Sequence, residues 1–432
     1  MAFPQTPIVL DTFTDTNTTL LEHHTSDTGH TWEIATSGAM TGGSWAITNN
    51  ELAPTSGQNG AYFISNGSFS TDVSIQVDTY QTNTTNVHSG LAQSITADFA
   101  SGSYLPVSFQ SAWSVFKAVG GAFNLLGSNP TVGSEWLTGN TFADGNVIRW
   151  CRRTVGGNAV LSLYCNGYQV WTYTDTSGVL NATLPGIYND NGTGGADLPS
   201  DNFKVFSASQ EIGLLMIGDS ITAGYVYNGS TTQVAPYPNI WLGNALSKGK
   251  KGLPVFVSNY GYTATTSNDW VNGTNGANLT GGIASLSNQS IKVASIMLGV
   301  NDSKTATRVS IAQHTSNIAS IIATLKAAGF VAIFLHMPTY TASGAFSNTW
   351  DNLAAIQYMP AYREAQLALV DNQTVFLGDT RGADMLAANV SGDGIHPTIQ
   401  MSRILFQSHA NAMFPVLNGL VKSAASTIVS AF

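Results

Sequence analysis

The stretch LLMIGDSITAGY, Leu214 to Tyr225, decides how the second half of this chain is read. Ile212–Ile217 is an apolar run with no polar alternation, and it stops at Gly218. A short run of this kind suits a strand buried on both faces, as in a parallel sheet. Gly-Asp-Ser then reads as a tight turn leading toward a helix. Ser220 is therefore expected at the carboxyl end of a strand, near a helix N-terminus whose backbone N–H groups can meet a developing oxyanion. A serine in that place also suits a plain N-cap. The motif lacks the second glycine of a G-x-S-x-G elbow.

Downstream, the same grammar repeats. Val255–Asn259 and Val293–Leu298 read as two more buried strands. Ser310–Ala328 reads as a helix, with Ile311, Ile318, Ile321, Ile322 and Leu325 at helical spacing and Gly329 as its stop. Val331–His336 is the next strand, closed by Pro338. Asn348–Val370 reads as a helix, Val375–Gly378 as a strand and Met401–Val421 as a final helix. Strands alternating with helices imply a parallel sheet covered on both faces. Ligands of such sheets sit at the carboxyl ends of the strands.

Upstream of residue 210 the pattern changes. Val73–Tyr80, Asn146–Arg153, Ala159–Tyr164 and Gln169–Tyr173 alternate in character and are separated by Gly, Asn and Thr turns. This predicts an antiparallel β-sandwich over residues 1–209 and an α/β domain over 210–432. Cys151 and Cys165 flank a hairpin turn at Gly156–Gly157. A two-residue turn there pairs Cys151 with Ser162 and points Cys165 to the other face, so two free buried thiols are expected.

The chain has 432 residues, enough for two or three domains at roughly 100–200 residues each. Hydrophobic residues make up 43%, so cores can form, but charged residues are only 9%. The polar surface must then come from Thr, Ser, Asn and Gly. The formal net charge is −9, with 16 Lys and Arg against 25 Asp and Glu, and the one basic cluster is Lys248–Lys251. Such a balance argues against nucleic-acid binding. The N-terminus has no basic and apolar leader pattern, and no apolar run reaches membrane-spanning length. The expected location is extracellular or virion-associated.

Three further motifs carry chemistry. Gly299-Val-Asn-Asp302 follows the strand Val293–Leu298, and the side-chain amide of Asn301 can donate to an oxyanion. In Ser391-Gly-Asp-Gly-Ile-His-Pro-Thr398, Asp393 stands three residues before His396, close enough to orient the imidazole while its other nitrogen faces a serine. In Ser258–Thr266 the backbone N–H of Gly261 is a third donor. Taken singly, each also reads as an ordinary turn. Of the eight histidines only His396 has an acidic partner in a Gly/Pro-framed turn. His336 reads as a packed strand end, and His23, His24 and His30 as loop residues.

The order of these blocks, GDSI, N-x-G, G-x-N-D and D-x-x-H, resembles the SGNH (GDSL-like) hydrolases over residues 210–432. The resemblance implies an α/β/α flavodoxin-like fold. It makes Ser220 the nucleophile, His396 its base and Asp393 the orienting carboxylate. Ser220, Gly261 and Asn301 become the oxyanion hole, with Asp219 bracing the turn. One departure is visible: the family's second block carries a further glycine where Ala264 stands. The first half is similar to concanavalin A-like jelly-roll sandwiches, over the stretches starting at Asp11, Asp144 and Leu184. That likeness implies that the closing Asp-Asn-Phe strand lies near the opening Asp-Thr-Phe.

The expected activity is ester hydrolysis, directed at O-acetyl groups on a polysaccharide, with no cofactor and no metal. A lipase or general short-chain esterase is the alternative, and a phage tail or receptor-binding protein is the alternative of another class. The aromatics Tyr225, Tyr227, Tyr237, Trp241 and Trp270 are expected near the site. In the first half Trp32, Trp45, Trp113, Trp136, Trp150 and Trp171 are expected mostly in the core, and the Asn189–Asp201 loop is read as solvated rather than as a calcium site. No sequence feature sets an oligomeric state.

Overall fold

In a computed structural model of the chain, the structure describes residues 7–35, 44–56, 60–79, 87–96, 101–109, 112–129, 137–138, 141–142, 146–191, 200–208, 211–227, 231–233, 237–248, 251–337, 357–381 and 395–429. It divides into two compact units. One holds Pro4–Glu211 and Ser247–Pro254, the other Ile212–Leu246 and Val255–Phe432.

The first unit is built from an eight-stranded and a seven-stranded sheet, both antiparallel. Side chains of the two sheets meet between them: Trp150 Nε1 donates to Gln93 Oε1 at 3.1 Å. Trp32, Trp45 and Trp150 are core residues, as the sequence suggested. Trp136 lies outside the described residues, as do 192–199 of the Asn189–Asp201 loop. The strand Val9–Asp11 pairs with Ser200–Ser207, Asp11 facing Phe203, so the two ends of the unit are neighbours. In the hairpin around Gly156–Gly157, Cys151 faces Ser162 and Cys165 faces Ile148. Both cysteines are free and buried.

The second unit carries a parallel sheet. Its strands are β1 (Ile212–Gly218), β2 (Val255–Asn259), β3 (Ile291–Met297), β4 (Phe330–Leu335) and β5 (Val375–Leu377). Their order is β2-β1-β3-β4-β5, and every pairing is parallel. This is the flavodoxin-like order, in which the chain reverses its direction of winding between β1 and β3. The crevice outside the carboxyl ends of those two strands is where such sheets place ligands. Strand β1 is buried along its whole length.

The helices are α1 (Tyr237–Ser247), α2 (Ser267–Asn272), α3 (Leu279–Ser285), α4 (Ile311–Ala327), α5 (Met359–Leu367) and α6 (Ile399–Val429). Ser310 caps α4 by accepting from the Gln313 N–H, and Ile318, Ile321, Ile322 and Leu325 face the core. The helix expected over Asn348–Val370 is described as Met359–Leu367, residues 348–356 lying outside the described set. No helix among the described residues is long and apolar enough to cross a membrane.

One local expectation fails. No helix starts behind Ser220. The chain makes a single helical turn, with Ala223 N–H donating to Asp219 O at 2.9 Å. Gly224, at φ +92°, then takes the chain out of helical geometry. A short hairpin follows, Tyr225–Tyr227 with Thr231–Gln233, and α1 begins only at Tyr237.

Candidate active site

Ser220 stands two residues past the end of β1 and is 7% exposed. Its Oγ lies 2.8 Å from His396 Nε2, although 176 positions separate them. If Nε2 accepts the serine proton, the ring's own proton sits on Nδ1. Asp393 lies outside the described residues. The Tyr225 ring is 6.3 Å from the His396 ring, so an aromatic surface flanks the pair.

Asp219 braces the turn. It is 1% exposed, and its Oδ1 accepts from the Ile221 N–H at 3.0 Å. Burial pushes its carboxyl up to about 6, against the pull of the Ile221 N–H and of His396. The turn is also held from β2. Asn259 Nδ2 donates to Thr222 O at 2.6 Å, while its Oδ1 accepts from the Gly261 N–H at 2.9 Å. In this state the Gly261 amide is thus turned on Asn259. A Cβ on Gly261 would stand 2.5 Å from Ala223 N and 2.7 Å from Thr222 C, both backbone atoms. Only glycine lets the two loops approach this closely.

Asn301 opens a short 3-10 turn, Asn301–Ser303, beyond the end of β3. Its Nδ2 donates to Thr265 O at 3.1 Å, which uses one of the two amide hydrogens and leaves the other for a ligand. Ala264, where the resembling family carries glycine, sits at φ +61°. The loop keeps its left-handed residue without a glycine, and an L-side chain there costs roughly 1–2 kcal/mol.

One site expectation changes. Trp270 is buried and donates Nε1–H to Thr265 Oγ1 at 3.3 Å, so it supports the loop rather than facing a ligand. Trp241 stacks on Phe406. The structure also supplies partners that the sequence reading missed. His24 lies between Asp11 and Asp15, at 2.9 and 3.0 Å. His314 is 2.9 Å from Asp302. The carboxylates are 13 and 9 positions from His24 and 12 from His314, beyond the reach of a local motif. A signal for His314 did exist: it shares the inward stripe of α4 with Ile311 and Ile318, and a buried imidazole needs a partner. His336 is packed and fully buried directly after β4.

Ser220 and His396 thus meet beyond the carboxyl end of β1, and the loops bearing Gly261 and Asn301 follow the strands on either side of it, β2 and β3. Residues 216–404 match the GDSL-like lipase/acylhydrolase family. No curated protein matches the chain. Among solved structures, a lipase/acylhydrolase from Enterococcus faecalis is 20% identical, covering 47% of this chain and 95% of its own, with a TM-score of 0.35. An acetylxylan esterase from Geobacillus stearothermophilus is 20% identical, covering 48% and 93%, with a TM-score of 0.34. A carbohydrate-binding module from Bacillus subtilis is 15% identical, covering 41% and 95%, with a TM-score of 0.30.

Proposed function

We propose that this chain is a serine esterase that removes O-acetyl groups from a polysaccharide. The observation that carries the reading is the 2.8 Å approach of His396 Nε2 to Ser220 Oγ at the point where the sheet reverses its winding. Nε2 takes the hydroxyl proton as Oγ bonds to the acyl carbon. The negative oxygen so formed is met by the Ser220 N–H and the free N–H of Asn301, with the Gly261 N–H as third donor once it turns from Asn259. The imidazolium hands its proton to the departing sugar oxygen. Water, deprotonated by His396, then releases acetate and restores Ser220. Asp393 is the carboxylate assigned to Nδ1.

The GDSL-like match supports acyl transfer. A polymeric substrate is supported by the β-sheet unit in the same chain, and a sugar beside the acyl group by Tyr225 near His396 and by the exposed ring of Tyr262. A fluorophosphonate probe followed by peptide mapping tests the mechanism. Ser220 is expected to carry the label, and label on any other residue refutes the assignment. Acetate release from acetylated polysaccharide, set against hydrolysis of long-chain esters, tests the substrate. Preference for the long chains replaces this reading with a lipase.

A further inference from the structure

Asn301 and Asp302 are adjacent, and they grip two alternate residues of the loop that follows β2. Asn301 Nδ2 holds Thr265 O at 3.1 Å. The Asp302 carboxylate accepts the Ser267 N–H at 3.1 Å on each oxygen, and the Ser267 hydroxyl on Oδ1. The two loops that bear the Gly261 and Asn301 donors are thereby tied at two points.

On its far side the same carboxylate meets α4. His314 Nδ1 is 2.9 Å from Asp302 Oδ1. His314 Nε2 is 3.1 Å from Gln366 Nε2, which also lies 3.0 Å from Leu298 O. A carbonyl oxygen can only accept, so the Gln366 atom facing Leu298 is the NH2 group. That group can only donate to His314, whose Nε2 must then present a lone pair. The ring proton is therefore on Nδ1, aimed at Asp302. Leu298 is the residue before Gly299-Val-Asn-Asp302, so the relay leaves the loop at its start and returns to it at its end. The Tyr362 hydroxyl lies within reach of two acceptors, Asp302 O at 3.0 Å and, closer, Val309 O, and its ring lies 4.3 Å from that of His314. Ser267, Asp302, His314 and Tyr362 are fully buried, and Gln366 is 2% exposed. The Ser267 hydroxyl points at the carboxylate rather than at the imidazole, so this group is no second hydrolytic triad.

We propose that His314 is a positioning residue for ester hydrolysis: by donating to Asp302 it fixes where the Asn301 amide meets the oxyanion. The inference rests on the esterase reading above. A buried carboxylate turns toward whatever donors remain when one is taken away. An Asp302 carboxylate that turns away loosens Ser267, and with it the loop whose Thr265 carbonyl holds the Asn301 amide. Misplacing a transition-state donor by about 1 Å costs on the order of 100-fold in rate.

Two substitutions at one position separate positioning from packing. In His314→Asn the side-chain amide nitrogen can stand where Nδ1 stood and still donate to Asp302. In His314→Gln the amide stands near Nε2 and that donor is lost. Both remove the ring from Tyr362. With p-nitrophenyl acetate, His314→Gln is expected to lower kcat about 10–100-fold with KM within about twofold, while Ser220 still labels with fluorophosphonate; His314→Asn recovers most of the loss. Equal kcat in both variants and the wild type overturns the proposal, as does an equal loss in both that follows their Tm. Ser267→Ala is the milder variant, since it removes one donor and leaves the ring in place. Its kcat is expected to fall several-fold, and an unchanged kcat in the folded protein refutes the idea. A wild-type chain that neither labels at Ser220 nor hydrolyses the ester refutes the esterase reading itself, and this inference with it.

Discussion

Asp219→Asn tests how strongly the nucleophile's turn is held at a cost in stability. The Asp219 carboxyl is buried, and its pKa rises from 3.8 to about 6 on folding. The sign follows from proton counting. Between about pH 4 and 6 the folded form holds a proton that the unfolded chain has released, so stability rises as pH falls through that window. Above pH 6 both forms are charged, and the folded one carries the whole desolvation penalty. The shift of about two units corresponds to about 3 kcal/mol at about 1.4 kcal/mol per unit. Asparagine keeps the Oδ1 acceptor for the Ile221 N–H and carries no charge. It brings an N–H pair whose burial without partners costs about 1–3 kcal/mol, but that term does not vary with pH. The stability difference between variant and wild type should therefore move in favour of the variant by about 3 kcal/mol from pH 4 to pH 8. Amide exchange of β1, followed by mass spectrometry across that range, reads this difference inside the unit concerned. A difference that stays flat with pH refutes the claim that the buried carboxylate is penalised. Because Asp219 and His396 attract one another, ester hydrolysis by the variant is expected to slow several-fold.

Three other outcomes follow from the geometry. Ala264→Gly relieves a left-handed alanine on an exposed loop; the roughly 1–2 kcal/mol of relief less about 0.4–1 for glycine's freer unfolded chain leaves a gain of about 0.5–1 kcal/mol, read by urea titration. Gly261→Ala drives a methyl group into the Thr222–Ala223 backbone, so kcat should fall by at least about 100-fold, and wild-type turnover would show that the loops can part without loss. Burial holds His336 down to about 3 and His409 well below its usual value, the two rings being stacked at 3.8 Å; the folded form takes up protons later than the unfolded one, so each destabilises the unit as pH falls below about 6.5, by up to about 1.4 kcal/mol per pH unit. His409→Leu should flatten that acid loss in exchange-derived stabilities, and an unaltered slope counts against the assignment.

The parallel sheet was legible because its inner strands are mostly buried and read as apolar runs, with β1, buried along its whole length, the clearest. The hairpin register at Cys151 was legible because a two-glycine turn leaves one pairing. The turn behind Ser220 was misread: strand-to-helix connections are the rule in such folds, and the signal that breaks this one is a single glycine, Gly224, whose conformation a sequence does not display. The clamp of Asn301 and Asp302 on Thr265 and Ser267 was invisible for another reason. Its partners come from α2, α4 and α5, and nothing in the local pattern of α4 says which carboxylate its inward histidine will meet. Asn259 lay within the N-x-G block all along, yet its part in joining two loops depends on the distance between them.

The pairing of Val9 with Val205 has a consequence for how the chain is made. Among the described residues, the strand Val9–Asp11 pairs with Ser200–Ser207 alone, so it meets that partner only when residues almost 200 positions later have been synthesised. At about 5–20 residues per second the ribosome needs some tens of seconds to deliver them. During that interval the nascent sheet exposes a raw edge to any passing strand. A chain released before Ser200 would keep that edge open permanently, so truncation products of the first unit are expected in the insoluble fraction, whatever the fate of the unit that follows.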